Sequence, residues 1–417
     1  MKKLLALLCV CFVMPTHPVG AANWFVRAGA TGANTGTNWT DAWPGWGLLK
    51  WPSVQPGDTI YVAGGHYTGE LTIAKSGTSS APIRLFRATQ ADPNCSGAPG
   101  WQAGFDSTVV QSDPGPNDGI YYPGGVGNWT VIDGIKDRGW EIDMTGTAGS
   151  GVEIDQAAIS NVTFRHIYVN QPQTILQTQD MRGFDLTPTR GMMSNITVQY
   201  CEVNGMSEGI TITLADRALV DHCSFHNQDN LDRATIHPNV IYVGAVNNSI
   251  FRYNKLYNIT VEGLFFNDPN TSNNLIYGNL FYQGDIGAQS GARALEFKQP
   301  GTSGYKVYNN TFVGLPIGIQ ANVSGASYSN CVFRNNIVWQ MTSNFGSGWT
   351  VDHNYTARSD PFINSAAFDY HLKSGSPAIG IGLNLGSDYA MDMDGVVRTG
   401  TTWDAGAYAF VARLKKN

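Results

Sequence analysis

Charged residues are scarce in this chain of 417 residues, at 14%, against about 25% in an average protein. Long apolar runs are scarce too. The one at residues 4–14 is too short to cross a bilayer, which takes about 20 residues. Two lysines precede this run and small residues follow it, as in a secretory signal peptide. We therefore expect residues 1–22 to be a signal peptide, and the protein to be secreted or periplasmic without membrane insertion.

Positive charge is also in deficit. The chain has 26 Lys and Arg against 32 Asp and Glu, and the leader carries Lys2 and Lys3 but no acid. The remainder therefore has 24 basic against 32 acidic residues, a net charge near −8. This balance argues against a nucleic-acid partner or an anionic membrane. An acidic polysaccharide would have to bind at a local basic patch.

Cysteine is rare beyond the leader, where Cys95, Cys201, Cys223 and Cys331 remain. Their spacings match no metal-binding motif. Export permits disulfides between them, and buried free thiols are the alternative. The sequence leaves both open.

The sequence shows no helical periodicity. It shows instead a repeat of short strands, each with a corner residue near its end. Successive corners are 22 to 34 residues apart, which predicts a β-solenoid with loop insertions. The corner residues are Ile167, Cys201, Cys223, Asn254, Asn279, Asn310 and Asn336. We expect the Asn side chains to hydrogen-bond to one another in a ladder, with the two cysteines as packing residues.

A second column of strands precedes the first in each coil. Its aligned inward residues predict an aliphatic ladder, with a small residue before most of them at a bend. These inward residues are Ile120, Phe184, Ile210, Ile241, Leu264, Leu295 and Ile319.

Two further stretches carry a family resemblance. Residues 54–88 read "VQPGDTIYVAGGHYTGELTIAKSGTSSAPIRLFRA", and the tail reads "DPFINSAAFDYHLKSGSPAIG" before "DMDG" and "WDAGAY". With the repeat, they resemble the right-handed parallel β-helix proteins of the pectate-lyase-like superfamily over nearly all of the mature chain. The resemblance implies an all-β fold, a right-handed parallel β-helix with an N-terminal cap, and carbohydrate-directed activity.

The expected organisation follows from these stretches. We expect a cap at 23–53, the β-helix at 54–355, and a tail at 356–417 that packs on or caps the helix. Trp39, Trp43, Trp46 and Trp51 lie just before the first coil. They suit either a sugar-stacking platform or a cap, and their position favours the cap.

Most charged residues of the repeat fall in columns on one outer face. The turn-edge column is Arg182, Glu208, Asn239, Glu262 and Arg293; the next is Asp185, Thr211, Tyr242, Phe265, Glu296 and Gln320; the last is Thr187, Thr213, Gly244, Asn267, Lys298 and Asn322. The insertion at 226–239 adds Asp229, Asp232, Arg233 and His237 at the same edge. Such insertions commonly wall a substrate groove.

These columns predict a polysaccharide lyase acting on a uronate. Elimination needs a cation at the carboxylate, a base and a proton donor. We expect Arg293 to neutralise the uronate carboxylate. Lys298 or His237 would act as the base, and Tyr242 or His237 would protonate the leaving oxygen. Glu262 and Glu296 complete the predicted catalytic patch, and Arg233, Glu208, Asn267 and Asp185 are the predicted substrate-binding residues.

The resemblance adds an expectation about a metal. Such β-helix lyases often use Lys or Arg as base, and Ca²⁺ or Arg as neutraliser. Asp229 and Asp232 are the candidates for binding Ca²⁺, and no other cofactor is expected.

Two other functions stay open at this point. Glu208 and Glu262 share a column two coils apart, ~10 Å between backbones, near the ~6.5–9.5 Å between the carboxyls of inverting glycosidases. A non-catalytic glycan-binding or structural β-helix would show the same charges as a solvated face, with Glu262 and Arg293 as a salt bridge. In every case we expect a polysaccharide partner and a monomer.

Overall fold

The computed structural model describes residues 20–145, 149–171, 181–228, 238–284, 291–299, 303–324 and 327–412. Over these ranges the chain winds into a right-handed parallel β-helix, with strands stacked on three faces. The predicted fold class is confirmed. We call the three stacks sheet 1, sheet 2 and sheet 3, in the order in which a coil passes through them.

The strands are short and follow one another around each coil. Sheet 1 consists of Asn23–Val26, Thr59–Val62, Ile83–Arg87, Thr130–Asp133, Ser160–Arg165, Met193–Gln199, Leu219–Asp221, Ile250–Arg252, Leu275–Tyr277, Lys306–Tyr308, Cys331–Arg334 and Trp349–Asp352. Sheet 2 consists of Gly65–Thr68, Val110–Asp113, Trp140–Asp143, Ile167–Asn170, Glu202–Asn204, Ser224–His226, Lys255–Tyr257, Leu280–Tyr282, Thr311–Val313 and Ile337–Trp339. Sheet 3 consists of Leu71–Thr72, Ile120–Tyr122, Val152–Ile154, Arg182–Leu186, Glu208–Asp216, Asn239–Asn247, Glu262–Phe266, Arg293–Phe297, Ile317–Ala321 and Ser343–Phe345. Sheets 1 and 3 merge into 22 strands, because Glu208–Asp216 runs on to pair with Met193–Gln199.

Helices are few and short. The α-helices are Pro93–Ser96 and Gly104–Ser107, and the 3₁₀ helices are Trp46–Leu48, Trp51–Ser53, Ser365–Ala367 and Ser387–Tyr389. In the part of the chain that the structure describes, no helix is long and apolar enough to span a membrane.

The aliphatic ladder forms in the predicted register. Phe184 pairs with Ile210, which pairs in turn with Ile241, and all three are buried. One coil was missed, because Val152 lies between Ile120 and Phe184 in the ladder. A small residue is required before the ladder, since a Cβ at position 183 would lie 2.5 Å from the carbonyl oxygen of Gly209.

The asparagine ladder is also confirmed. Asn279 Nδ2 donates to Asn310 Oδ1 at 2.9 Å, and Asn310 Nδ2 donates to Asn336 Oδ1 at 3.0 Å. The amides also reach the backbone of neighbouring coils, so these buried polar groups are satisfied. Cys201 and Cys223 continue the column as buried side chains, and all four cysteines of the described chain have free thiols.

Tryptophans close the N-terminal end of the core. Trp39 and Trp43 are fully buried, and Trp46 stacks on Tyr67 and Trp140 with ring centroids 4.3 and 5.6 Å apart. These three rings are therefore packing residues, unavailable to stack on a sugar. Strand Asn23–Val26 of the same segment already belongs to sheet 1.

The C-terminal tail packs along the corner between sheets 1 and 2. It contains two antiparallel pairs, Phe362–Asn364 with Asp369–Leu372 and Gly382–Leu383 with Thr402–Trp403. Tyr253 donates to the carbonyl of Met391 at 3.0 Å, which ties the tail to the coils.

Within the tail, His371 bridges two carboxylates and predicts a pH dependence. Its Nδ1 lies 2.6 Å from Asp369 Oδ1, and its Nε2 lies 2.8 Å from Asp394 Oδ2. Burial lowers the pKa of His371, but the hydrogen bonds to Asp394 and Asp369 outweigh it and raise the pKa above its usual value. The stabilisation is therefore complete below the unfolded-state pKa of about 6.5 and is lost as pH rises through the folded-state value.

We expect hydrogen exchange of the tail amides to speed up between about pH 6 and pH 8, beyond the intrinsic rate change, by an amount equivalent to roughly 0.5 kcal/mol because the pair is partly exposed. His371→Gln should abolish that excess. His66→Gln is the control, because His66 is exposed and lies outside the tail, and it should keep the excess. An equal excess in wild type and His371→Gln would contradict the assignment.

Candidate functional site

The outer face of sheet 3 forms an open groove of about 450 Å³. Neighbouring strands are in register, so outward residues form columns with a step of ~4.8 Å from coil to coil. Tyr242, Phe265 and Glu296 are consecutive members of one such column, as predicted. The groove is lined by Arg182, Thr187, Glu208, Thr211, Thr213, Asn239, Tyr242, Phe265, Asn267 and Lys298.

Arg182 organises one end of the groove. Its guanidinium binds Asp185 at 2.6 Å and Glu208 at 2.8 Å. Glu208 also accepts hydrogen bonds from Thr211 and, at 3.3 Å, from Asn239. Burial lowers the pKa of Arg182, but the two carboxylates outweigh it and raise the pKa. Arg182 is thus a fixed cation whose charge is largely compensated.

Arg293 is the centre of a second cluster. It donates to Glu262 at 3.1 Å and to Gln320 at 2.6 Å, and lies 3.4 Å from Glu296. Burial raises the pKa of Glu262 to about 7, aided by Glu296 and opposed by Arg293. Burial likewise raises the pKa of Glu296. The expected salt bridge between Glu262 and Arg293 is therefore present, and neither residue lines the groove.

This cluster predicts a pH-dependent cost of removing the arginine. Arg293→Gln should destabilise the fold by about 2–4 kcal/mol at pH 8, because it leaves buried carboxylates without their cation. The loss should be smaller at pH 5, where Glu262, with its pKa of about 7, is protonated and needs no counter-charge. Urea unfolding of the wild type and the variant at pH 5 and at pH 8 measures the loss of stability at each pH.

Arg217→Gln is the matched control, since Arg217 is exposed and pairs with Asp216 at the surface. It should cost less than about 1 kcal/mol at either pH. A loss for Arg293→Gln that is the same at pH 5 and pH 8 would contradict the role given to Glu262.

A third group of side chains meets on Phe265. Lys298 Nζ lies 5.3 Å from the centroid of this ring, and the ring of Tyr242 packs edge-on at 5.7 Å. Asn267 Nδ2 lies 3.5 Å from the Tyr242 hydroxyl, at the limit for a hydrogen bond. Burial is the main cause that raises the pKa of Tyr242, so its phenol stays protonated. An amine and a phenol thus flank one aromatic ring inside the groove, with an amide beside the phenol.

Comparison with known proteins defines the fold. No family model matches the chain, and no curated protein sequence matches it. The crystal structure of pectate lyase Pel9A matches with a TM-score of 0.59 and 15% identity, covering 94% of this chain and 97% of that one. The chain has the pectate-lyase-like β-helix fold. The complex structure of XylC with xylose also matches, with a TM-score of 0.50 and 10% identity. The match covers 93% of this chain and 98% of that one.

The β-helix separates the predicted site residues into these groups. Lys298 and Tyr242 meet at Phe265, with Asn267 beside the Tyr242 hydroxyl, whereas Asp185 and Glu208 bind Arg182 at the other end of the groove. Asp229, Asp232, Arg233 and His237 lie outside the described residues.

The described part of the chain holds no group of three or more His, Cys, Asp or Glu side chains that could bind a metal ion. Calcium at Asp229 and Asp232 stays a prediction.

Residues of this face of the β-helix that were not among the predicted site residues include Phe265, Arg182 and Glu153. Arg182 lines the groove and organises Glu208, and its place in the turn-edge column was the signal for it. Glu153 pairs in register with Asp185 on the coil that was missed. Burial raises the pKa of Glu153 to about 8, with Asp118 as the next cause.

Proposed function

We propose that this β-helix is a polysaccharide lyase that cleaves a uronate-containing glycan by β-elimination in the sheet 3 groove. The convergence of Lys298 and Tyr242 on Phe265 carries the proposal. Lys298 and Tyr242 approach this ring from the coils on either side of it. An elimination site needs a proton acceptor, a proton donor and a ring against which a sugar can pack. Similarity to pectate lyase Pel9A and to a xylose-bound β-helix supports a carbohydrate substrate.

Each chemical role has a residue in this proposal. Lys298 takes the proton from the carbon next to the uronate carboxylate. The electron pair of that bond forms a double bond to the neighbouring carbon, and the glycosidic oxygen leaves. Tyr242 gives its phenolic proton to that oxygen and regains one from solvent. No atom of water enters the product.

Substrate binding extends along the groove. Arg182 lies three coils from Phe265, or ~14 Å at the spacing of parallel strands. In the proposal, Arg182 contacts a flanking sugar at that distance, and its bonds to Asp185 and Glu208 hold the guanidinium in place. The sequence-based role of Arg293 as neutraliser of the reacting carboxylate remains a prediction, and its bonds to Glu262 and Gln320 hold the guanidinium in place.

One observation favours a second candidate, a glycoside hydrolase. Glu262 has a pKa of about 7, which suits a general acid. Its predicted partner Glu208 is two coils away, but Arg182 and Thr211 hold the Glu208 carboxylate. The groove lining includes both Lys298 and Tyr242, the base and acid of the lyase, but only Glu208 of the hydrolase pair, so the geometry supports the lyase better.

The two candidates differ in their products. The purified mature protein should be incubated with polygalacturonate, alginate and glycosaminoglycans, following the ultraviolet absorbance of unsaturated uronides together with new reducing ends. We expect both signals to rise on at least one glycan. Reducing ends alone would favour the hydrolase. No product from any glycan would overturn both enzyme assignments and leave a binding or structural β-helix.

A further inference from the structure

A second open cavity lies on the corner between sheets 1 and 2, away from the proposed active site. Its volume is about 440 Å³. It runs from the turn that carries Arg138 to the tail turn that carries Asp394, across coils that contribute Tyr200, His222 and Lys255. We call it the corner trough.

The backbone beneath the trough is strained. Each of these coils turns the corner through one residue in the left-handed region, with φ between 52° and 67°. The corner residues in chain order are His166, Tyr200, His222, Tyr253, Gly278, Asn309, Asn335 and His353. Gly and Asn tolerate this conformation best, and larger side chains are disfavoured there.

The corner residues differ along the β-helix, and the tail covers the corner from Tyr253 onward. Under the tail, Asn309 and Asn335 occupy the corner and donate to tail carbonyls at 3.4 and 2.8 Å. Four successive coils use His or Tyr instead: Tyr200, His222 and Tyr253 line the trough, and His166 lies on the coil next to it. His is tolerated in this conformation, but Tyr is disfavoured. The strain at Tyr200 therefore points to function, because Asn would form the same corner at lower cost.

These four side chains form a continuous ladder of rings. His166 stacks on Tyr200 with centroids 5.4 Å apart, Tyr200 lies 5.0 Å from His222, and His222 lies 4.9 Å from Tyr253. Asp133 holds Nδ1 of His166 at 2.7 Å, and Asp221 holds Nδ1 of His222 at 2.7 Å. The rings are therefore fixed, and Tyr200 is 41% exposed.

Two carboxylates of the trough have partners, and the exposed Lys255 and Asp137 that also line it are of opposite charge. Glu202 binds both Arg138 and His226, and Asp394 binds His371 at 2.8 Å. Such pairs present oriented donors and acceptors with little net charge. They suit hydroxyl groups better than a carboxylate, which would have to displace Glu202 from Arg138.

We propose that the corner trough is a second, non-catalytic binding site for a neutral, hydroxyl-rich oligosaccharide. Tyr200 supplies the central contact, with its ring edge and hydroxyl between the two fixed imidazoles. The site does not depend on the elimination chemistry of sheet 3, so the two assignments can fail separately.

Isothermal titration of the full mature Lys298→Ala protein tests the proposal without turnover. The probes are cellohexaose, xylohexaose and an oligogalacturonide. We expect at least one neutral hexasaccharide to bind, and Tyr200→Ala to weaken that binding at least tenfold. Tyr200→Asn should weaken it equally while keeping or raising Tm, because Asn tolerates the left-handed corner. That second variant separates lost contact from lost folding.

His353→Ala is the matched control, since His353 occupies the same corner position in the last coil and does not line the trough. It should leave binding unchanged. The proposal is overturned if no neutral probe binds, if only the oligogalacturonide binds, or if Tyr200→Ala binds as tightly as its parent. Each of those results would leave the elimination assay unaffected.

Discussion

Lys298→Ala is expected to lower kcat about a thousandfold on the glycan that the protein cleaves, within the ~10²–10⁴-fold range typical of general acid–base catalysis. Lys298 lines the groove with its ammonium 5.3 Å from the Phe265 centroid, and its backbone N–H donates to Phe266 as the strand register continues. The side chain is exposed, so its removal should leave folding intact. Initial rates from ultraviolet absorbance, with circular dichroism for the fold, measure this.

Two controls define what the loss means. Lys306→Ala removes an equally exposed lysine from sheet 1, outside the groove, and should keep full activity. Lys298→Arg keeps a positive charge without a readily available amine base. It should be nearly as inactive as Lys298→Ala if Lys298 takes the proton. Full activity of Lys298→Ala would remove Lys298 from the mechanism.

The largest expected effect on stability is at the centre of the asparagine ladder. Asn310→Ala should lower the free energy of unfolding by about 3–5 kcal/mol, because several buried polar groups lose their partner at once. Asn310 is fully buried. Its Oδ1 accepts from the backbone and side chain of Asn279, and its Nδ2 donates to Ile276 and Asn336. Urea unfolding followed by circular dichroism measures the change.

Asn344→Ala is the control for that loss. Asn344 is exposed on the last strand of sheet 3, so its removal should cost less than about 0.5 kcal/mol. Similar values for the two variants would show that the ladder contributes no more than a surface amide.

The fold was predictable because its signals recur. One aliphatic residue and one corner residue per coil are enough to set the register, so Leu264 and Leu295 could be aligned from sequence alone. The coil at Val152–Ile154 was missed because its strand is only three residues long and residues 146–160 offer no second strong match. A short strand in an established stack is stabilised by its neighbours more than by its own pattern.

The site was predictable as a set of columns, but its pairings were not. The strand register, which the sequence predicts, places Glu262 beside Arg293. The further contacts of Arg293 with Glu296 and Gln320 depend on the conformation of its long side chain, which the sequence does not show. The convergence of Lys298 and Tyr242 across Phe265 depends on side-chain direction over two coils, which no spacing encodes. The sequence did not reveal the corner trough, because no apolar pattern accompanies it. What distinguishes it is the positive φ of residues such as Tyr200, which is a property of the backbone.

The central claim is that the sheet 3 groove cleaves a uronate glycan by elimination. The most direct test is mass spectrometry of the products formed in water enriched in oxygen-18. Elimination transfers protons only, so the account predicts an unsaturated product, one water lighter than a saturated fragment, with no heavy oxygen introduced by cleavage. A saturated fragment carrying one heavy oxygen per bond broken, corrected for exchange at the reducing end, would contradict the lyase and move the chemistry to Glu208 and Glu262.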